Sequence, residues 1–409
     1  MNPKIITGLD IGTGSIKVLS VVEKPDRSLK ILSKVQVPNS GMRRGVIVDP
    51  AKVSKNICIA LEKVQSETGK KVEEICVNIG GAHIFSILSK GSIVVSRADQ
   101  RISEEDIRRV IQAAKTFSLP LNKKLIDFYP KQYIIDGHSG IKEPLDMKGT
   151  RMEVEILAIG AFIPYFNKLE ETVLDAGIRT VDVLSNPIVS ANACLTSEQK
   201  ELGTVVLDIG AGTTSLAIYE EGDLIHLAII PIGSDHITRD ITVGLRIETA
   251  VAEKVKKEFG HCLKDLSVKN GRNKKINLPS IPLTFSSKLL TKIIESRVSE
   301  IFKQAQKEIK GFSSGFLPAG VVITGGGSQL PNIVDFCKNE LKLPCRMGFP
   351  ILNNGNNSEI EESLKKDPSF CTAWGLVLAG REGGEPLINR KKTLKGIRNI
   401  FNIFRVFIP

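Results

Sequence analysis

Apolar positions alternate with small ones in two stretches set about half a chain apart. IITGLDIGTGSIKVLSVVE (residues 5–23) and GTVVLDIGAGTTSLAIYEEG (203–222) share one plan. Each is a β-branched strand, then Asp-Ile-Gly-x-Gly-[Ser/Thr], then a second alternating strand. The period of two on both arms and the small residues between them predict a β-hairpin at each place. A third stretch, VVITGGGSQLPNIVDFCKNEL (321–341), reads as an apolar strand, a Gly325-Gly326-Gly327-Ser328 turn and an amphipathic helix. Between them, EILAIGAFIPYFNKLEETVLDAGIRTVDVLS (155–185) reads strand, helix, strand, and such alternation predicts a mostly parallel sheet covered by helices.

The end of the chain is patterned differently. From residue 381, REGGEPLINRKK reads as a linker, and LKGIRNIFNIFRVFIP (394–409) follows it. Projected at about 100° per residue, Lys395, Arg398, Asn399, Asn402 and Arg405 share one side. Ile397, Ile400, Phe401, Ile403, Phe404, Phe407 and Ile408 share the other, and only Val406 breaks the partition. A packed core helix is also two-faced. Here the polar face is purely cationic or neutral, a linker precedes it, and basic residues lead into it. That favours an interfacial helix on an anionic lipid surface, running from Leu394, with about 1 kcal/mol gained per Lys or Arg near the headgroups.

Length and composition bound the rest. With 409 residues the chain exceeds the roughly 250–300 at which single cores stop growing, so two lobes are expected. At 42% hydrophobic and 25% charged it is an ordinary globular composition. No apolar run reaches spanning length, and Asp10 interrupts the N-terminal stretch before a signal-peptide core could form, so the body is expected in the cytosol. The formal charge of +11 is local. Residues 390–409 carry +6 and residues 264–275 carry +4, which leaves the body near neutral. Without aromatics among those cations, nucleic acid is not an expected partner. Seven scattered cysteines with no CxxC pair read as reduced thiols, and five histidines in unrelated contexts read as packing or surface residues.

The two hairpin turns carry the chemistry. Gly12, Gly14, Gly210 and Gly212 remove Cβ atoms so that backbone N–H groups can close on an anion, and Thr13, Ser15, Thr213 and Thr214 add hydroxyl donors. Asp10 and Asp208 end their strands, where two carboxylates suit a water-rich Mg²⁺ held mainly by phosphate. Lys17 can serve the phosphates as a point charge. Neither a GxxxxGK[ST] loop nor a complete GxGxxG fingerprint is present.

Two Asp-Ile-Gly-x-Gly-[Ser/Thr] hairpins followed by the Thr-Gly-Gly-Gly-Ser turn resemble the actin, sugar-kinase and heat-shock-chaperone ATPase superfamily over almost the whole chain. Three further features resemble the FtsA family of bacterial cell-division proteins. These are GMRRGVIVDPAKV (41–53), RISEEDIRRVIQAAK (101–115) with KQYIIDGHSGIKEPLDMKGTRMEVE (131–155), and the amphipathic tail.

The resemblance implies an actin-like (ribonuclease H-like) two-lobe α/β ATPase fold. It implies a small α+β subdomain inserted in the first lobe and a C-terminal amphipathic helix. The expected division is 1–82, 160–202 and 360–382 for the first lobe and 83–159 for the insert. The second lobe takes 203–359 with an outer subdomain at 230–300, then come a linker at 383–393 and a membrane helix at 394–409. DVLSNPIVSANACL (182–195) and SFCTAWGLVLAG (369–380) match the lobe-connecting helices, whose Ala191, Ala193, Ala373 and Gly375 allow tight crossing.

The nucleotide residues it implies are Asp10, Gly12, Thr13, Gly14, Ser15 and Lys17 for phosphate 1. Phosphate 2 takes Asp208, Gly210, Ala211, Gly212, Thr213 and Thr214, and the adenosine turn takes Gly325, Gly326, Gly327 and Ser328. Glu253 and Lys256 fall on one helical face where relatives hold ribose and adenine. Asp10 and Asp208 position Mg²⁺ and water. Leu394, Ile397, Arg398, Ile400, Phe401, Phe404, Arg405, Phe407 and Ile408 are the membrane residues.

In function, the resemblance implies ATP binding and polymerisation on the cytoplasmic face of the cell membrane at the division site. It also implies tethering of the tubulin-like protein FtsZ and recruitment of other divisome proteins. Where hydrolysing relatives place Gln or Glu, this chain has Asn186 before Pro187, so slow hydrolysis at best is expected. The basic stretch 264–275 reads either as a docking loop for an acidic FtsZ segment or as a solvated loop. An actin-like adaptor of pilus machinery and a small-molecule kinase of the same fold are the alternatives. Neither explains the tail, and the kinase lacks a base.

Overall fold

The structure is a computed structural model that describes residues 5–116, 119, 121–262, 275–278, 281–313, 315–352 and 358–381. It divides into two units, one of residues 1–85 with 161–384 and the other built on 86–160.

The larger unit contains one sheet plan twice. In the first lobe, Ile5–Ile11, Ser15–Glu23 and Leu29–Pro38 form an antiparallel meander, and Glu74–Ile79 and Arg179–Ser185 add in parallel on the Ile5–Ile11 side. In the second lobe, Thr204–Ile209, Thr214–Glu220 and Asp223–Ile230 form the meander, and Val321–Thr324 and Cys345–Met347 add in parallel. The apolar alternation explains the duplication. Leu9, Ile11, Ile16 and Val18 are buried in the first hairpin, as are Leu207, Ile209, Leu216 and Ile218 in the second.

Helices cover both sheets. The second lobe's core is closed by Ser287–Phe312, which contributes Leu290, Ile294, Val298, Ile301, Phe302, Ala305 and Ile309 at helical spacing. The connecting helices Asn186–Cys194 and Cys371–Arg381 pack against each other. Only a glycine permits that crossing, because a Cβ on Gly375 would lie 1.9 Å from the Val189 carbonyl oxygen. The adenosine-turn candidate differs from expectation in detail. Gly326–Gln329 forms a 3₁₀ turn, and the amphipathic helix begins only at Ile333.

The smaller unit is a four-stranded sheet in the order Phe85–Val94, Arg151–Phe162, Lys123–Ile135, His138–Ile141, with the helix Glu104–Lys115 on it. Ser103 and Asp106 cap that helix reciprocally, and Ile107, Val110, Ile111 and Ala114 pack with Tyr133, Met152, Val154 and Ile156. Because Arg151–Phe162 is one unbroken strand of this sheet, EILAIG does not return the chain to the first lobe's sheet. The Ile163–Asp175 helix and the Arg179–Ser185 strand do.

Two expectations fall on other ground. In the basic stretch, Lys275–Leu278 is a strand paired with Ile281–Ser286 rather than loop, and residues 263–274 lie outside the described residues. The tail 394–409 and its linker also lie outside them. Among the described residues no helix is long and apolar enough to cross a membrane.

Candidate functional site

Both hairpins close in the same way. The register sets Asp10 opposite Lys17 and Ile11 opposite Ile16, and Gly12 N–H donates to the Ser15 carbonyl (3.0 Å). In the second lobe Asp208 stands opposite Ser215 and Ile209 opposite Thr214, and Gly210 N–H donates to the Thr213 carbonyl (2.9 Å). The tips meet. A Cβ on Gly14 would lie 2.9 Å from the Ala211 Cβ, and one on Gly212 would lie 2.6 Å from Thr13 Oγ1. Glycine at these positions therefore lets two backbones converge where any larger residue would hold them apart.

The carboxylates behind the tips are held unequally. Asp10 accepts from Lys17 Nζ (3.3 Å) and from Asn78 Nδ2 (2.8 Å), while Asn78 Oδ1 accepts the Ile11 N–H (2.7 Å). The cation expected to serve phosphate thus also neutralises Asp10. Asp208 accepts a hydrogen bond from Thr372 Oγ1 (2.9 Å) on the second connecting helix. Burial pushes the Asp208 carboxyl up to about 6, and the facing Asp10 charge adds to the rise against the Thr372 hydrogen bond and Lys17.

The triple-glycine turn abuts this carboxylate. Gly325 has φ +86, and a Cβ there would lie 2.2 Å from Asp208 Oδ1. Ser328 is fully buried and donates to the Gly325 carbonyl (2.6 Å), so its hydroxyl is satisfied inside the turn. Thr214 likewise donates to the Ile232 carbonyl (2.8 Å). Their backbones shape the site, and its hydroxyl chemistry falls to Thr13, whose Oγ1 accepts the Gly45 N–H (3.1 Å) and keeps its own proton to donate, and to Ser15 and Thr213.

Glu253 and Lys256 pair at 2.7 Å, and both bond Thr238 Oγ1. Lys256 is buried and also donates to the Ser234 carbonyl (3.2 Å), which fastens the Thr249–Phe259 helix to Ser234–Leu245. Burial would raise the Glu253 carboxyl, but hydrogen bonds from Lys256 and Thr238 hold it below its ordinary value. Asn186 opens the first connecting helix, and its Oδ1 is buried with no hydrogen-bond partner among the described residues.

Sequence reasoning missed Asn78 and Thr372. No local motif marks either, because each reaches its aspartate only through the tertiary fold. The donor set fits a metal–polyphosphate complex. Two carboxylates stand behind glycine turns that meet at their tips and carry hydroxyls at Thr13, Ser15 and Thr213.

Comparison with known proteins bears on this geometry. The family profile described as Cell division protein FtsA matches residues 205–375, and that of the SHS2 domain inserted in FtsA matches residues 81–159. The chain is 32% identical over 384 residues to the cell division protein FtsA of Pseudomonas aeruginosa, covering 92% of this chain and 89% of that protein. Among solved structures, it resembles the PilM–PilN type IV pilus biogenesis complex at 18% identity, with a TM-score of 0.64 over 93% of this chain and 99% of that one. It also resembles MreB5 of Spiroplasma citri bound to ADP, at 15% identity and a TM-score of 0.54 over 94% and 99%. These last two likenesses establish the actin-like fold.

Proposed function

The chain belongs to the FtsA family of cell division proteins, and from that premise we propose that it binds Mg²⁺-ATP between its two glycine hairpins, self-associates, and tethers FtsZ filaments to the cytoplasmic face of the membrane at the division site. The observation that carries the reading is the convergence of the hairpin tips in front of Asp10 and Asp208, at contacts only glycine allows. The ADP-bound structure of an MreB5 of the same fold supports it.

Asp10 and Asp208 would hold Mg²⁺ through water, and the turn backbones with Thr13, Ser15 and Thr213 would hold the phosphates. The Gly325–Ser328 turn, with Glu253 and Lys256, would take the adenosine end. When bound, Mg²⁺ would supply the positive charge that lets two facing carboxylates coexist at the junction of the lobes. Thr372 passes the state of Asp208 to the second connecting helix. Asn186 is neither long enough nor basic enough to take a proton, so the site is suited to binding and assembly over turnover.

The lipid anchor is assigned to Leu394, Ile397, Ile400, Phe401, Phe404, Phe407 and Ile408, flanked by Arg398 and Arg405. One such helix binds reversibly, and many on one polymer gain avidity without a new contact. Co-sedimentation with anionic liposomes, with and without ATP and FtsZ, tests the reading. The full chain should pellet most in ATP and carry FtsZ with it. A chain ending at Gly384 should stay in the supernatant, and if it pellets in ATP the tail is not the anchor.

A further inference from the structure

One element beside the hairpins has no part in the function above. Met42–Arg43 pairs antiparallel with Val46–Ile47, leaving Arg44 and Gly45 as a two-residue turn at φ +49 and +76. Positive φ at both positions is the geometry that Asn-Gly adopts most easily. An arginine there carries a backbone cost of about 1 kcal/mol, so something other than turn propensity accounts for the side chain.

The turn is fixed against the first phosphate-hairpin tip. Its base closes through Val48 and Asp49 N–H groups on the Gly41 carbonyl (2.8 and 3.0 Å). Gly45 N–H donates to Thr13 Oγ1 (3.1 Å) on the first tip. Gly45 also lies flat on the chain at Gly81, where a Cβ would come within 2.7 Å of a backbone nitrogen. Thr13 in turn meets the second tip, where a Cβ on Gly212 would lie 2.6 Å from its Oγ1. That second tip is bound to the Ser234–Leu245 helix through Ser234 N–H on the Gly210 carbonyl (2.9 Å) and Asp235 N–H on the Ala211 carbonyl (2.8 Å). Arg44 thus stands beside the place where the two tips converge.

Charge argues for its use. At its phosphate end the site holds two carboxylates and one ammonium among the described residues, and that ammonium is already on Asp10. A metal–triphosphate adds further negative charge. Arg43 and Arg44 are exposed and have no acidic partner among the described residues. A guanidinium matches phosphate oxygens in a fork, and an arginine supplied from outside the phosphate loops is a known way to stabilise the terminal phosphate.

We propose that Arg44 binds the terminal phosphate of a nucleoside triphosphate held between the hairpins, and so distinguishes triphosphate from diphosphate. This rests on the nucleotide reading of the site. The adenosine end lies toward the Gly325 turn behind Asp208, which leaves the tip beside Thr13 to the far end of the phosphate chain.

The test is fluorescence titration of the full chain with methylanthraniloyl-labelled ATP and ADP in Mg²⁺, on wild type, Arg44→Asn, Arg44→Lys and Asp208→Asn. Arg44→Asn should bind the ATP probe about tenfold more weakly and the ADP probe within twofold of wild type. Arg44→Lys should fall between. Because Asn-Gly suits the turn better, Arg44→Asn should melt no lower than wild type, which separates a lost phosphate contact from a damaged hairpin. Equal loss of both probes, or an unchanged ATP affinity, overturns the assignment of Arg44. Wild type binding neither probe, or Asp208→Asn binding both normally, overturns the nucleotide site itself and the proposal with it.

Discussion

The two hairpins share a sequence pattern and differ where it counts electrostatically. At the cross-strand position opposite the aspartate, the first lobe has Lys17 and the second has Ser215. Asp10 therefore sits in a buried ion pair backed by Asn78, whereas Asp208 is buried with, among the described residues, only a threonine hydroxyl donating to it and a second carboxylate facing it. One motif supplies two chemically different groups: a carboxylate held in an ion pair, and a carboxyl whose charge depends on what occupies the site. Perturbed groups of this kind mark functional clefts. The asymmetry lets an arriving cation stabilise the second lobe more than the first.

The comparison makes its largest prediction for the two Asp→Asn variants. Asp10→Asn strands Lys17 as a buried cation and should destabilise by about 2 to 3 kcal/mol at pH 8, the loss being moderated by relief of repulsion on Asp208. Asp208→Asn removes a buried charge that costs free energy to ionise and should stabilise the ligand-free chain by about 2 kcal/mol at the same pH. Denaturant unfolding at pH 8 reads both. Shifts of the same sign would mean the two aspartates are equivalent after all.

The second prediction is smaller because it concerns how the Asp208→Asn gain changes with pH. The folded-state value of about 6 lies above the ordinary carboxyl value of 3.8, so the folded chain holds its proton more tightly than the unfolded one. The penalty is fully present above pH 6, fades as pH falls between those values, and is absent below 3.8. The advantage of Asp208→Asn should thus shrink from about 2 kcal/mol at pH 8 to near zero at pH 4. A gain independent of pH would place its origin in packing rather than charge.

The duplicated strands, the turn glycines and the paired aspartates were all legible, because period-two alternation and small-residue turns are local signals. Even the asymmetry could be read, since Lys17 and Ser215 occupy equivalent places after Asp10 and Asp208. What could not be read is the environment that gives the asymmetry its size. Asn78 lies 68 residues from Asp10 and Thr372 lies 164 from Asp208, and neither sits in a motif. Ser328 and Thr214 looked like ligand donors because a sequence shows a hydroxyl without showing which carbonyl lies beneath it. EILAIG read as one run with the helix and strand that follow it, because alternation does not reveal which sheet a strand joins.

Thr372 offers the finest test of the difference. Its hydroxyl is the direct hydrogen bond that Asp208 has in place of the lysine enjoyed by Asp10, and it comes from the helix that packs on the first connecting helix. Thr372→Val keeps the branched shape and removes the donor, so at pH 8 it should cost about 1 kcal/mol and raise the Asp208 pKa further. In an Asp208→Asn background the same substitution should cost measurably less, since a neutral amide gains less from that donor. A double-mutant cycle by denaturant unfolding gives the coupling directly. Coupling indistinguishable from zero would remove Thr372 as the link between the second hairpin and the connecting helix, and would leave burial and the Asp10 charge as the whole difference between the two aspartates.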